Sequence, residues 1–127
     1  MKVGIKNQIK KTVSNALTAK AMGSGRLDVF ATPAMVAMME EAAHTSVEAE
    51  LEEGQGTVGT SMTVSHLAAT PVGMEVTCES ELIEVDGRKL VFEIKAMDEA
   101  GLIGEAKHER FIIDSEKFLA KTNAKLK

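Results

Sequence analysis

The stretch FATPAMVAMMEEAAHTSVEAEL, residues 30–51, decides the fold because it reads as one long amphipathic helix. Thr32-Pro33 predicts its start, since threonine is a good N-cap and proline is favoured at the first helical position. We expect the helix to cover roughly residues 33–51 and to end in the loop that follows. Its apolar stripe has helical spacing and consists of Met35, Val36, Met39, Ala43 and Val47.

The sequence after this helix changes its period from 3.6 to 2, which predicts β-strands. Asp86-Gly87 marks a tight turn between two of them, and short turns imply antiparallel neighbours. The four predicted strands cover residues 57–67, 74–85, 88–98 and 102–113. In the first of these, simple alternation places Val58, Met62, Val64 and His66 on one face.

Shorter elements flank this pattern at both ends of the chain. A weakly patterned strand over residues 5–13 and a helical turn over 15–22 precede the long helix, and Ser115 is expected to cap a C-terminal helix. The predicted class is therefore α+β, with an antiparallel sheet wrapped around one long central helix in a single domain, residues 1–127. The unpaired sheet edges make a dimer that continues the sheet plausible.

Composition excludes several classes of function. The net charge of −4 and the absence of Trp and Tyr argue against nucleic-acid binding, which needs basic surfaces and stacking rings. No apolar run approaches the roughly 20 residues that span a bilayer, so no membrane segment is expected. Cys78 is the only cysteine, which excludes an intrachain disulfide and fits a cytoplasmic protein.

Glu40 interrupts the apolar stripe of the long helix. On a helical wheel it lies near Val36, Ala43 and Val47, whereas its neighbour Glu41 belongs to the polar side. A buried carboxylate must be paired, protonated or directed into a cavity. Glu40 could also reach water at the rim of the stripe or pair with a lysine, and helical spacing alone does not decide between these.

Three further residues are candidates for a functional site. His66 falls on the apolar face of its strand and is a natural proton carrier, although such a histidine is more often structural. Gly59 interrupts the same strand, as glycines do where a ligand or backbone approaches closely. Thr32 lies at a helix N-terminus, which suits an anion. Glu40 and His44 lack a third ligand, so no metal site is predicted.

Three segments together resemble the hotdog-fold thioesterases of the fluoroacetyl-coenzyme A thioesterase type. They are VFATPAMVAMMEEAA (29–43), TVGTSMTVSHLAATPVG (57–73) and VDGRKLVFEIKAMDEAGLIGEAKHERFIID (85–114). The resemblance implies hydrolysis of an acyl-CoA thioester, with Thr32, Glu40 and His66 as catalytic residues and Gly59 beside the thioester carbonyl. It departs from the fluoroacetyl-specific enzyme at residues 25–28, where an aromatic lid segment is absent.

The same resemblance implies a homodimer, or a tetramer, with the site at the subunit interface and the histidine supplied by the partner chain. Coenzyme A enters as part of the substrate, and no separate cofactor is expected. Met35 and Met39 are candidate substrate-binding residues because methionine adapts to irregular apolar pockets, but core packing explains them equally well. A non-hydrolytic acyl-CoA binding or sensing module and a dehydratase or hydratase of the same fold are the alternatives.

Overall fold

The computed structural model describes residues 1–126 and contains the predicted elements in the predicted order. The strands are β1 (Lys6–Thr12), β2 (Gln55–His66), β3 (Glu75–Asp86), β4 (Lys89–Asp98) and β5 (Gly101–Asp114). The helices are α1 (Ala19–Met22), α2 (Thr32–Val47) and α3 (Ser115–Asn123). A 3₁₀ turn over Glu48–Glu50 continues α2, so its α-helical part is shorter than expected. No helix within residues 1–126 is long and apolar enough to cross a membrane.

The five strands form one antiparallel sheet in the order β1-β3-β4-β5-β2. Helix α2 packs on one face of this sheet, as predicted for a hotdog fold. Its buried residues are Ala34, Met35, Met38, Met39, Ala42, Ala43 and Val47. Val36, expected within the stripe, is only half-buried. From the sheet, the alternating residues Leu90, Phe92, Ile94 and Ala96 of β4 are buried in the same core.

A β-bulge at Thr60 corrects the predicted faces of β2. Gly59 pairs with Arg110, but Ser61 pairs with Glu109, so Thr60 has no partner in the register. The extra residue shifts the alternation by one. Every side chain before the bulge therefore lies on the face opposite to the one that simple alternation predicts from the residues after it. Gly59 therefore faces α2, together with Met62 beyond the bulge, whereas simple alternation had placed Val58 on that face.

Both predicted N-caps are wrong by one residue. Ala31 occupies the N-cap position of α2 and makes no side-chain cap bond, and Thr32 is the first helical residue. Asp114 caps α3, because its carboxylate accepts a hydrogen bond from the backbone N–H of Lys117 at 3.2 Å. The Thr32 hydroxyl is therefore free for another partner.

Candidate functional site

The hydroxyl of Thr32 bonds to the imidazole of His66, with 2.7 Å between Oγ1 and Nδ1. Thr32 begins α2 and His66 ends β2, so the pair joins the two elements at one end of the sheet. A backbone hydrogen bond of 2.9 Å from Phe30 to Thr70 ties the segments beside it. An open cleft of about 330 Å³ lies here, lined by both side chains and by the backbone segments around Val29 and Ala68.

The second ring nitrogen of His66, Nε2, is buried and has no hydrogen-bond partner among residues 1–126. Burial lowers the pKa of His66 below its ordinary value, and the backbone of Ala68 acts in the opposite sense. The imidazole is therefore neutral at neutral pH. A neutral ring with one unpartnered nitrogen is chemically able to accept or donate a proton.

Glu40 of α2 belongs to a different cluster, which lies against the inner face of β2 and β5. Its Oε2 accepts a hydrogen bond from Nη1 of Arg110 at 3.1 Å and lies 3.8 Å from Nε2 of His108. The side chain is 42% exposed, and no hydrogen bond found within residues 1–126 involves its other oxygen, Oε1. One oxygen of the carboxylate is thus anchored, while the other remains available.

Gly59 makes this position of the carboxylate possible. A Cβ at Gly59 would lie 2.6 Å from Oε2 of Glu40 and 3.2 Å from Nη1 of Arg110. The first distance is shorter than any normal contact to a Cβ atom. Close approach of a ligand or of backbone was expected at this glycine, but the group that approaches it is the side-chain carboxylate of Glu40.

Arg110 is a site residue that the sequence analysis missed. It is 6% exposed, and its Nε and Nη2 donate to the hydroxyl and the carbonyl of Thr57 at 2.8 and 3.0 Å. These bonds fix the guanidinium against β2 and direct Nη1 toward Glu40. A signal was present, because Arg110 is in phase with Ala106 and His108 on the inner face of β5. Of the alternatives left open for Glu40, the structure shows a paired carboxylate, and its partner is this arginine rather than a lysine.

The three predicted catalytic residues and Gly59 therefore fall into two clusters within one chain. One cluster contains Thr32 and His66, and the other contains Glu40, Gly59, His108 and Arg110. Thr32 and Glu40 are eight helical residues apart, about 12 Å along the axis. Within the chain the Thr32 hydroxyl bonds to His66 and not to Glu40. Within one chain, Glu40 is therefore separated from the Thr32–His66 pair.

Met35 and Met39 are fully buried in the core and do not line the cleft. Met35 fills the space beside Gly104, where a Cβ would lie 2.6 Å from its Sδ. Since Gly104 pairs with His66 across the strands, Met35 packs under the Thr32–His66 cluster. Core packing is sufficient to account for both methionines.

No group of three metal-binding side chains occurs within residues 1–126, and His44, once paired with Glu40 as a possible ligand set, bonds to Glu48 at 3.0 Å. A larger, polar depression of about 720 Å³ crosses β1, β3 and β4. It contains none of the predicted site residues.

Known proteins share both the sequence and the fold of this chain. The family model described as fluoroacetyl-CoA-specific thioesterase (FlK) matches residues 13–116. The fluoroacetyl-CoA thioesterase of Streptantibioticus cattleyicolor is 45% identical over 98 residues, which make up 77% of this chain and 70% of that protein.

Two solved structures extend the comparison. A variant of FlK in complex with acetyl-CoA is 36% identical, with 100% of both chains covered and a TM-score of 0.94. A thioesterase superfamily member from Thermus thermophilus is 28% identical over 95% of this chain and 90% of its own, with a TM-score of 0.88. The resemblance expected from the three sequence segments is confirmed, and the chain belongs to the fluoroacetyl-CoA-specific thioesterase family.

Proposed function

We propose that this protein hydrolyses an acyl-CoA thioester to the free acid and coenzyme A. The observation that carries the proposal is the carboxylate of Glu40, which Arg110 anchors through one oxygen while the other stays free. An oriented carboxylate of this kind can attack a thioester carbonyl or deprotonate a water that does. Family membership supports the choice of a thioester as the substrate.

The remaining groups supply the other requirements of the reaction. Attack turns the thioester carbonyl into an oxyanion, which needs a hydrogen-bond donor, and the backbone N–H of Gly59 is our candidate. The thiolate of coenzyme A leaves and takes up a proton that comes from the water consumed in the reaction. Neutral His66, with its bonded Thr32, is the proposed carrier that accepts this proton and passes it on. If Glu40 attacks, the acyl group passes through an anhydride that water then cleaves; if Glu40 acts as base, water attacks directly.

These two routes differ in the molecule that receives the oxygen atom of water. A single turnover in H₂¹⁸O followed by mass spectrometry of the protein distinguishes them. The anhydride route can leave label in the Glu40 carboxylate, whereas the general-base route places it in the released acid alone.

The expected result of the functional test is release of free thiol from short acyl-CoA esters. Residues 25–28 contain no aromatic side chain, and Leu27 is 68% exposed, so we expect acetyl-CoA and other short acyl esters to be cleaved as well as fluoroacetyl-CoA. Thiol release measured over a panel of esters checks this. Saturable binding with the thioester intact over hours would instead favour a binding module and overturn the proposal.

We further propose that the active unit is a homodimer in which one chain's Glu40 cluster faces the Thr32–His66 pair of the other. Two features support it: the clusters are too far apart to meet in one chain, and β2 is an edge strand. Two copies of β2, paired antiparallel about a two-fold axis, would place the His66 end of one strand beside the Gly59 end of the other.

Subunit complementation tests this arrangement. Glu40→Gln and His66→Ala chains, each inactive alone, are co-expressed with different tags and co-purified. Purification through both tags in succession leaves only mixed dimers, each with one intact site of two, so about half of the wild-type specific activity is expected to return. No recovery from verified mixed dimers would show that both groups serve a site within one chain. Native mass spectrometry separates a dimer from a tetramer.

A cytoplasmic location is part of the same proposal. Cys78 is buried in the core, and burial raises the pKa of its thiol to about 12. The thiol is therefore unreactive, and a chain with one buried cysteine and no intrachain disulfide fits a reducing compartment.

A further inference from the structure

His108 is the most completely buried polar side chain beside the Glu40 carboxylate, with 1% of its surface exposed. Its Nδ1 lies 2.8 Å from the carbonyl oxygen of Ser61. A carbonyl oxygen can only accept, so Nδ1 must carry a proton and donate it. In a neutral ring the other nitrogen, Nε2, is then an acceptor.

The partner of Nε2 agrees with this assignment. Nη1 of Arg110 lies 3.1 Å away, and a guanidinium can only donate. Nη1 has two N–H groups, and the second one donates to Oε2 of Glu40 at 3.1 Å. An imidazolium paired directly with Glu40 fits less well, because 3.8 Å is too long for a hydrogen bond.

We propose that His108 is a positioning residue for thioester hydrolysis, which fixes Arg110 and through it Glu40 by accepting a hydrogen bond at Nε2 in the Nδ1–H tautomer. The expected effect of His108 on the rate rests on the proposed function, whereas the tautomer of its ring does not. The path runs from the Ser61 carbonyl through the imidazole and the guanidinium to the carboxylate. Ser61 follows the bulge of β2, so the bulge sets the start of this path.

The environment of His108 favours the neutral ring. Burial lowers its pKa, and Arg110 acts in the same direction, while the carbonyl of Ser61 and the carboxylate of Glu40 on α2 oppose them. From β4 the neighbour is the uncharged ring of Phe92, 6.3 Å away between centroids. A protonated ring would direct a donor at the donors of Arg110 and break the path.

The first test is spectroscopic and needs no enzymatic activity. Long-range ¹H–¹⁵N correlation of the wild-type protein at pH 7.5 distinguishes the tautomers of its three histidines, assigned with His44→Gln and His66→Gln variants. We expect the His108 signals of a neutral ring protonated at Nδ1. A ring protonated at Nε2, or at both nitrogens, would overturn the proposal whether or not the protein cleaves any thioester.

The second test compares two substitutions. In His108→Gln the side-chain amide oxygen can take the place of Nε2, whereas His108→Leu leaves the buried N–H of Arg110 without an acceptor. We expect the Leu variant to lose about 10- to 100-fold in kcat, with KM little changed, and the Gln variant to recover most of the loss. Equal losses in both variants, or a loss in KM alone, would contradict a positioning role.

Stability against pH gives a third readout. The folded chain keeps His108 neutral, whereas the unfolded chain protonates it near its ordinary value of about 6.5. Its contribution to stability is therefore full above that pH and is lost as the pH falls. Below pH 6.5, each further drop of one pH unit should raise the unfolding equilibrium constant of the wild type by up to about tenfold relative to that of His108→Gln. Equal pH slopes would contradict a neutral His108.

Discussion

The substitution Glu40→Gln is expected to lower kcat for acyl-CoA hydrolysis by about 10²- to 10⁴-fold. The amide is nearly isosteric, and its oxygen can still accept the hydrogen bond from Arg110. It cannot attack a thioester or take a proton from water, because it lacks the negative charge. Free thiol release at saturating substrate measures the loss, and circular dichroism verifies that the variant folds.

Glu41→Gln is the matched control. The side chains of Glu40 and Glu41 are both 42% exposed, and Glu41 pairs with Lys11 at 3.0 Å as Glu40 pairs with Arg110. Loss of this surface pair should cost about 1 kcal/mol or less and leave kcat unchanged. If Glu40→Gln keeps wild-type kcat, or if both variants lose activity equally, the carboxylate of Glu40 has no special role.

Periodicity was sufficient to predict the framework that holds this carboxylate. Alternation and helical spacing are local properties, so α2, the strands and the anomalous positions of Glu40 and His66 can be read from short segments. Family resemblance joined these residues, since spacing alone could not. The same alternation failed at Thr60, because a bulge depends on pairing with another strand; Gly59 beside it was the one local sign, since a glycine within a strand often marks a bulge.

The partners of the candidate residues were beyond local reasoning for a related reason. Arg110 and Glu40 are 70 residues apart, and only the folded sheet brings them together. Thr32 had a sufficient explanation as an N-cap, but Ala31 takes that position, and the hydroxyl instead bonds to His66. Arg110 is a charged residue in phase with a buried neighbour, His108. Its position in β5 is therefore as anomalous as that of Glu40 in α2.

Gly59→Ala shows how tightly the second cluster is built, because two effects of opposite sign compete. Gly59 has no positive φ, so its backbone conformation is open to any residue. In a strand, alanine would then stabilise the chain by about 0.5–1 kcal/mol through the lower entropy of its unfolded state. The new Cβ, however, would lie 2.6 Å from Oε2 of Glu40 and 3.2 Å from both Nη1 of Arg110 and Cε1 of His108.

Crowding on three sides should prevail, because Arg110 and His108 are buried and cannot retreat. We expect Gly59→Ala to destabilise the protein by about 1–3 kcal/mol and to lower kcat at least about 100-fold, since the carboxylate must leave its position. Denaturant unfolding and thiol release measure the two effects. Gly56→Ala is the control, because Gly56 lies in the same strand as Gly59 but away from the carboxylate. Its Cβ would approach Ser115 Oγ at 3.0 Å, so kcat should be retained.

A double-mutant cycle assigns the crowding to its cause. In a Glu40→Ala background the 2.6 Å contact no longer exists, but the 3.2 Å contacts to buried Arg110 and His108 remain, so most of the stability cost of Gly59→Ala should persist. A cost that disappears in this background would locate the strain at Glu40 instead. Wild-type kcat in Gly59→Ala would overturn the assignment of the site, because the reacting carboxylate would not then need the place beside Gly59 where Arg110 holds it.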